Sequence, residues 1–133
     1  MTLTLLQPAG LVRSPAFSHV AVIPPDATQI HIGGQNAVDE AGTLVGAGDI
    51  VAQTNQVMTN LKVALAAADA EMSDLVSLSI ALVEGTDLRA GYAAAASHLA
   101  GNQPPPLVSA VIVPQLAVPG AMIELSALAA TVR

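Results

Sequence analysis

Few residues in this chain have the type and spacing to do chemistry. The most telling is Glu124, a lone carboxylate inside an otherwise apolar, strand-like run. Such a group is either an edge-strand carboxylate bonded to water and backbone amides, or a carboxylate turned into a cleft. His19, His31 and His98 show no metal-ligand spacing and have no Asp or Glu placed as a third ligand, so no metal site is expected. Ser109 lacks His and Asp partners in the pattern, which argues against a serine hydrolase. Gly46-Ala47-Gly48-Asp49 precedes a helical segment. It lacks the lysine of a phosphate loop and the full dinucleotide fingerprint, so it reads as a helix lead-in, and no cofactor is implied. Gly33-Gly34 either ends a strand or lets backbone amides approach a ligand, as the missing side chain permits.

Composition narrows the classes further. The 133 residues make one domain, 1–133. Hydrophobic residues are 53% and charged residues 11%, against roughly 25% charged in ordinary soluble domains. A domain this small cannot bury so much apolar surface by itself, which implies burial against further copies. The net charge is −6, and only Arg13, Lys62, Arg89 and Arg133 are basic. With no basic stripe, one Tyr and one Phe, nucleic-acid binding has neither an electrostatic footprint nor stacking platforms. Cysteine is absent, which removes disulfides and thiolate nucleophiles. The opening MTLTLLQPAGLVR lacks the charged start of a secretion signal, and no apolar run reaches a bilayer's thickness. A cytoplasmic protein without membrane spans is the expectation.

The elements that must position these residues follow from periodicity. Residues before Ser18 read as irregular, and residues 19–22 and 29–32 as short strands split by Pro24-Pro25-Asp26, the second ended by Gly33-Gly34. Asp49 caps a helix running to about Ala68. Its apolar stripe is Ile50, Val57, Leu61, Leu65 and Ala68, with Gln53, Asn55, Gln56 and Asn60 mostly on the other faces. Val76, Leu78, Ile80 and Leu82 alternate as a half-buried strand. Asp87 caps a second helix bearing Leu88, Tyr92, Ala95 and Leu99, stopped by Gly101-Asn102 and the following prolines. Leu107–Val113 and residues 121–132 are the last strands. The order β-β-α-β-α-β-β gives an α+β domain, a mixed sheet with both helices on one face.

That order, and several local motifs, resemble the RidA (YjgF) family. The residues that carry the likeness are Phe17-Ser18-His19, Gly33-Gly34-Gln35, Gly48-Asp49-Ile50 with Gln53, Asn60 and Leu61, Asp74-Leu75-Val76, and the run from Leu116 through Pro119-Gly120 to Glu124-Leu125. The resemblance implies a chorismate-mutase-like fold, a homotrimer and small-molecule clefts between subunits. Well-studied members hydrolyse 2-imino acids to 2-keto acids and ammonia. They hold the substrate carboxylate with an Arg on the penultimate strand and a water with a last-strand glutamate and a backbone carbonyl. On this chain the glutamate is Glu124 and the carbonyl falls at Ala110. Gly33 and Gly34 flank the ligand, Phe17 stands for a family tyrosine, and a helix asparagine falls near Gly91. Counting back from Leu116 puts the Arg position at Val108, or at Leu107 or Ser109 after a one-residue slip; none is cationic. Arg13, four residues before Phe17, is the one candidate to replace it.

Two functions compete on these grounds. One is hydrolysis of an imine, enamine or related small carbonyl compound with little or no anionic character, because the carboxylate clamp is missing. The other is a trimer that holds a metabolite, or regulates a partner enzyme, without turnover. RNA cleavage, an older label for the family, fits neither the acidic charge nor the scarcity of aromatic residues.

Overall fold

The computed structural model describes residues 2–132. Six strands and two helices follow one another as β1 (Thr4–Leu6), β2 (Val20–Val22), β3 (Thr28–Gln35), α1 (Ile50–Ala67), β4 (Leu75–Val83), α2 (Leu88–Leu99), β5 (Leu107–Val113) and β6 (Ile123–Thr131), with a short 3-10 turn at Met72–Asp74. β3, β6, β4 and β5 form one sheet in that order. β4 and β5 run parallel and the other neighbours antiparallel, because the β4–β5 connection is a helical crossover while β6 returns between its partners. The α+β class with helices on one face is therefore as the sequence indicates.

Three local details differ. The segment before Ser18 is not wholly irregular: β1 pairs antiparallel with β2, a strand too short for periodicity to reveal. Gly33-Gly34 does not end β3 but lies inside it, at a shift of register against β6 between Ile32 and Gln35. Of the polar residues of α1 read as lying mostly off the apolar stripe, Asn55 is exposed and Gln56 and Asn60 are half-buried, but Gln53 is fully buried.

The core lies between α1 and one face of the sheet. Val57, Met58, Leu61 and Leu65 pack on Ile32, Leu78, Ile80, Leu82, Ile123 and Leu125. Capping starts both helices as expected: Asp49 accepts from the Ala52 amide at 3.0 Å and Asp87 from the Ala90 amide at 3.1 Å. Gln53 spends its whole amide inside. Its Nε2 donates to the Gly46 and Gly120 carbonyls, both at 3.1 Å, and its Oε1 accepts from the Met122 amide at 2.8 Å. Asn60 does similar work one face over, donating to the Asn36 and Val38 carbonyls at 3.1 and 2.9 Å. Both side chains tie α1 to backbone groups of neighbouring loops. Gln53→Ala removes partners from the Met122 amide and the Gly120 carbonyl, while the Gly46 carbonyl keeps the Asp49 amide, so it is expected to lower unfolding free energy by about 2 kcal/mol, read from urea denaturation.

Lys62 is exposed but engaged. Its Nζ lies 2.9 Å from His98 Nδ1, and His98 Nε2 lies 2.9 Å from Asn55 Oδ1. The ammonium can only donate, so neutral His98 carries its proton on Nε2 and donates it to Asn55. Desolvation, and then the Lys62 charge, lower the His98 pKa from its ordinary 6.5. A base with a lowered folded pKa contributes stability that is complete above the unfolded value and is lost as pH falls through the folded one. Two outcomes are expected. His98 titrates by NMR with a midpoint below 6.5 that rises in Lys62→Met, and acidification from about pH 7 to about pH 5 destabilises the wild type more than His98→Gln.

Candidate functional site

Side chains alternate across a strand, so register decides which residues meet. On β6, Ile123, Leu125, Ala127 and Ala129 face the helices, and Glu124 and Ser126 face the open side of the sheet. Ala81 is opposite Glu124 on one side and opposite Val111 on the other. Ser79 is likewise opposite Ser126 and Ser109. Glu124 thus shares its face with Ser79, Ala81, Ser109, Val111 and Ser126, and together with Gly34 these line a groove of about 440 Å³. The open face is more polar than an alternating apolar pattern suggests, because serine fills two of its central positions.

Gly34 shapes this groove. A Cβ built on it would collide with Glu124 Oε1 and stand 3.0 Å from Cδ, whereas one on Gly33 would meet nothing. The bulged strand therefore passes directly beside a half-buried carboxylate, and the missing side chain of Gly34 leaves that carboxylate its present position. The glycine pair neither ends a strand nor is interchangeable: its second member makes room for Glu124.

The remaining residues singled out from sequence lie elsewhere. Val108 and Ala110 are opposite Leu78 and Ile80, on the helix-covered side. With Phe17 they line a separate cavity of about 550 Å³. Within one chain, then, Glu124 and Gly34 form one site and Phe17, Val108 and Ala110 another. On β5, Ser109 and Val111 line the groove with Glu124; of the positions considered for the Arg, Ser109 is the one that does so, and Val108 is on the other side. Arg13 is exposed and lines neither space. Lys62 is on α1 with His98, and Arg133 lies outside the described residues. Among the described residues no three His, Cys, Asp or Glu gather as metal ligands, and no helix is long and apolar enough to cross a membrane. Ser79 and Ser126 escaped sequence reasoning because they carry no motif; the signal was their alternation with buried leucines.

A groove of this kind, with one carboxylate, three hydroxyls and backbone groups, can accept hydrogen bonds from a water and a small molecule. It offers no cation to an anion. Gly34→Ala meets only the outer atoms of the flexible Glu124 side chain, so it is expected to push that carboxylate aside at a cost of about 1 kcal/mol or less, while Gly33→Ala is close to neutral. Adding Glu124→Ala to Gly34→Ala should recover most of the loss in thermal melts.

Comparison with known proteins gives consistent matches. The pattern of the endoribonuclease L-PSP family matches residues 11–131. The solved structure of YyfB from Yersinia pestis, a Rid-family protein of unknown function, is 31% identical. It superposes with a TM-score of 0.85 over 98% of this chain and 100% of its own. A putative endoribonuclease from Thermotoga maritima is 26% identical, with a TM-score of 0.70 over 92% of this chain and 89% of its own. The YjgF gene product of E. coli is 25% identical, with a TM-score of 0.67 over 76% and 79%. No curated protein matches the sequence.

Proposed function

The chain belongs to the endoribonuclease L-PSP family, and from that premise we propose that it hydrolyses a small neutral imine, enamine or related carbonyl compound in the Glu124 groove, closed over by a second copy in a homotrimer. The observation that carries this reading is the half-buried Glu124 carboxylate in a groove that no cation lines.

Glu124 would accept a hydrogen bond from water and take its proton as the oxygen adds to the imine carbon. Passing that proton to nitrogen gives a tetrahedral carbinolamine, and its collapse to the carbonyl releases ammonia. Ser79, Ser109 and Ser126 supply hydroxyls to orient the substrate without charge. A 2-imino acid would instead bring a carboxylate opposite Ser109 and Val111. Leaving such an anion unpaired in a closed cleft costs several kcal/mol, so substrates with that group are disfavoured whichever of Val108 and Ser109 is matched to the family arginine.

Closure by further copies is supported by what one chain leaves bare. β5 is an edge strand whose Val111 and Ile112 are each 57% exposed, one on either face. Uncovered apolar edges are a liability unless another chain meets them. Sedimentation is expected to report three times the 13.3 kDa chain mass.

The test uses a coupled reaction that generates 2-iminopropanoate, trapped with semicarbazide, beside direct hydrolysis of a neutral ketimine. Wild type should speed the neutral reaction and leave trapping of the imino acid unchanged. Glu124→Gln should slow the neutral reaction by about 10²–10⁴-fold. Ser109→Arg should gain activity on 2-iminopropanoate, and Val108→Arg, pointing to the other face, should not. A neutral reaction indifferent to Glu124→Gln, or a monomer in dilute solution, overturns the reading.

A further inference from the structure

A further hollow lies on the helix side of the molecule, and the function proposed above makes no use of it. α1 and α2 run side by side in the same direction: Gly91 sits against Ile50 near their starts, and His98 meets Asn55 and Lys62 toward their ends. Both helices therefore stop in one region, and the turn at residues 71–73 borders the space they leave, about 510 Å³. That falls within the roughly 300–1,000 Å³ of small-molecule sites. Its lining carries two opposite charges that do not meet. Lys62 and Glu71 both border the hollow, yet among the described residues no ion pair joins them. Each is held by a neutral neighbour instead. Lys62 Nζ lies 2.9 Å from His98 Nδ1, with His98 fixed in turn by Asn55, and Glu71 Oε1 accepts from Ser73 Oγ at 2.9 Å. This strut places the ammonium through one of its three donors and leaves the others open to water or a ligand. The last carbonyls of a helix carry partial negative charge, so the two converging helix ends add to the negative side. Ala66, Ala70 and Met72 supply the apolar part of the lining.

We propose that this hollow binds a small zwitterion, an α-amino acid with an apolar side chain. Its carboxylate accepts from Lys62, its ammonium donates to Glu71, and its side chain covers Ala66, Ala70 and Met72. A plain anion would face Glu71 and the helix ends, and a plain cation would face Lys62. A ligand carrying both signs finds a partner for each. The far wall is fixed: Asn102 is buried, and its Nδ2 donates to the Met72 carbonyl at 2.8 Å. Lys62 and Glu71 are exposed, where an ion pair contributes little, so the dissociation constant is expected at about a millimolar. The hollow is independent of Glu124, because α1 and the sheet separate the two.

The test is an NMR titration of the isotope-labelled full chain with L-leucine. Saturable shifts of the Glu71, Met72, Ser73 and Gly101 amides are expected, while the amides of Ser79 and Ser126 stay still. N-acetyl-L-leucine lacks the ammonium and L-leucinamide lacks the carboxylate, and each should bind about fivefold more weakly than leucine. The variants cross with the probes. Lys62→Met should weaken leucine about fivefold and leave leucinamide no weaker. Glu71→Gln, which keeps the oxygen that Ser73 bonds, should weaken leucine to the same degree and leave N-acetyl-leucine no weaker. A variant that merely failed to fold would lose every probe at once, and the unaffected probe guards against that. Glu124→Gln should leave the titration unchanged, so this proposal and the groove chemistry fail separately. Absence of saturable shifts, shifts confined to the Glu124 groove, or equal binding of all three probes overturns the proposal.

Discussion

Ser109, Ser79 and Ser126 lie in one row across three strands, and Val111, Ala81 and Glu124 lie in the next. This register between a parallel and an antiparallel neighbour is what the rest of the site depends on. It sets which side chains Glu124 can share a ligand with, and it sends Val108 and Ala110 to the far side. A slip of one residue in β5 would exchange the two sets. The register is held by the core leucines of β4 and β6, which cannot leave the helix face without exposing the whole hydrophobic layer.

From that constraint two unlike spaces arise on one sheet. The open face presents a carboxylate among hydroxyls, recessed because Gly34 leaves room for it. The covered face presents an apolar cavity, because the alanines of α2 do not fill what the helix covers. Among the described residues, no cation lines either space. The first offers hydrogen-bonding groups along an open groove, and the second is lined mostly by apolar side chains. The family's name refers to RNA, and this chain carries only four lysines and arginines against ten aspartates and glutamates.

Much of the family likeness turns out to be scaffold. Asp49 caps α1, Gln53 ties that helix to the loop before β6, and Asn60 secures the loop after β3. In this chain each of them partners a backbone amide or carbonyl of a neighbouring segment. The loop they secure leads out of β3, so they hold Gly34 and Glu124 in place indirectly. Glu124 and Gly34 are the two signature residues that meet in the candidate site itself.

The sequence by itself determined the α+β layout, both helix caps, the alternation of β4 and the isolation of Glu124, because these depend on periods of 2 and 3.6 and on residues near one another in the chain. It also determined that no cation replaces the family arginine at Val108 or its neighbours. Only the tertiary structure decided that Ser109 rather than Val108 turns toward Glu124, since counting cannot resolve a strand's register to one residue while packing must. Only it decided that Gln53 is buried, that Gly34 clears space for a carboxylate 90 positions away, and that α2 leaves a cavity over β5. Each is a contact between segments distant in sequence, set by how layers close over one another rather than by any local preference.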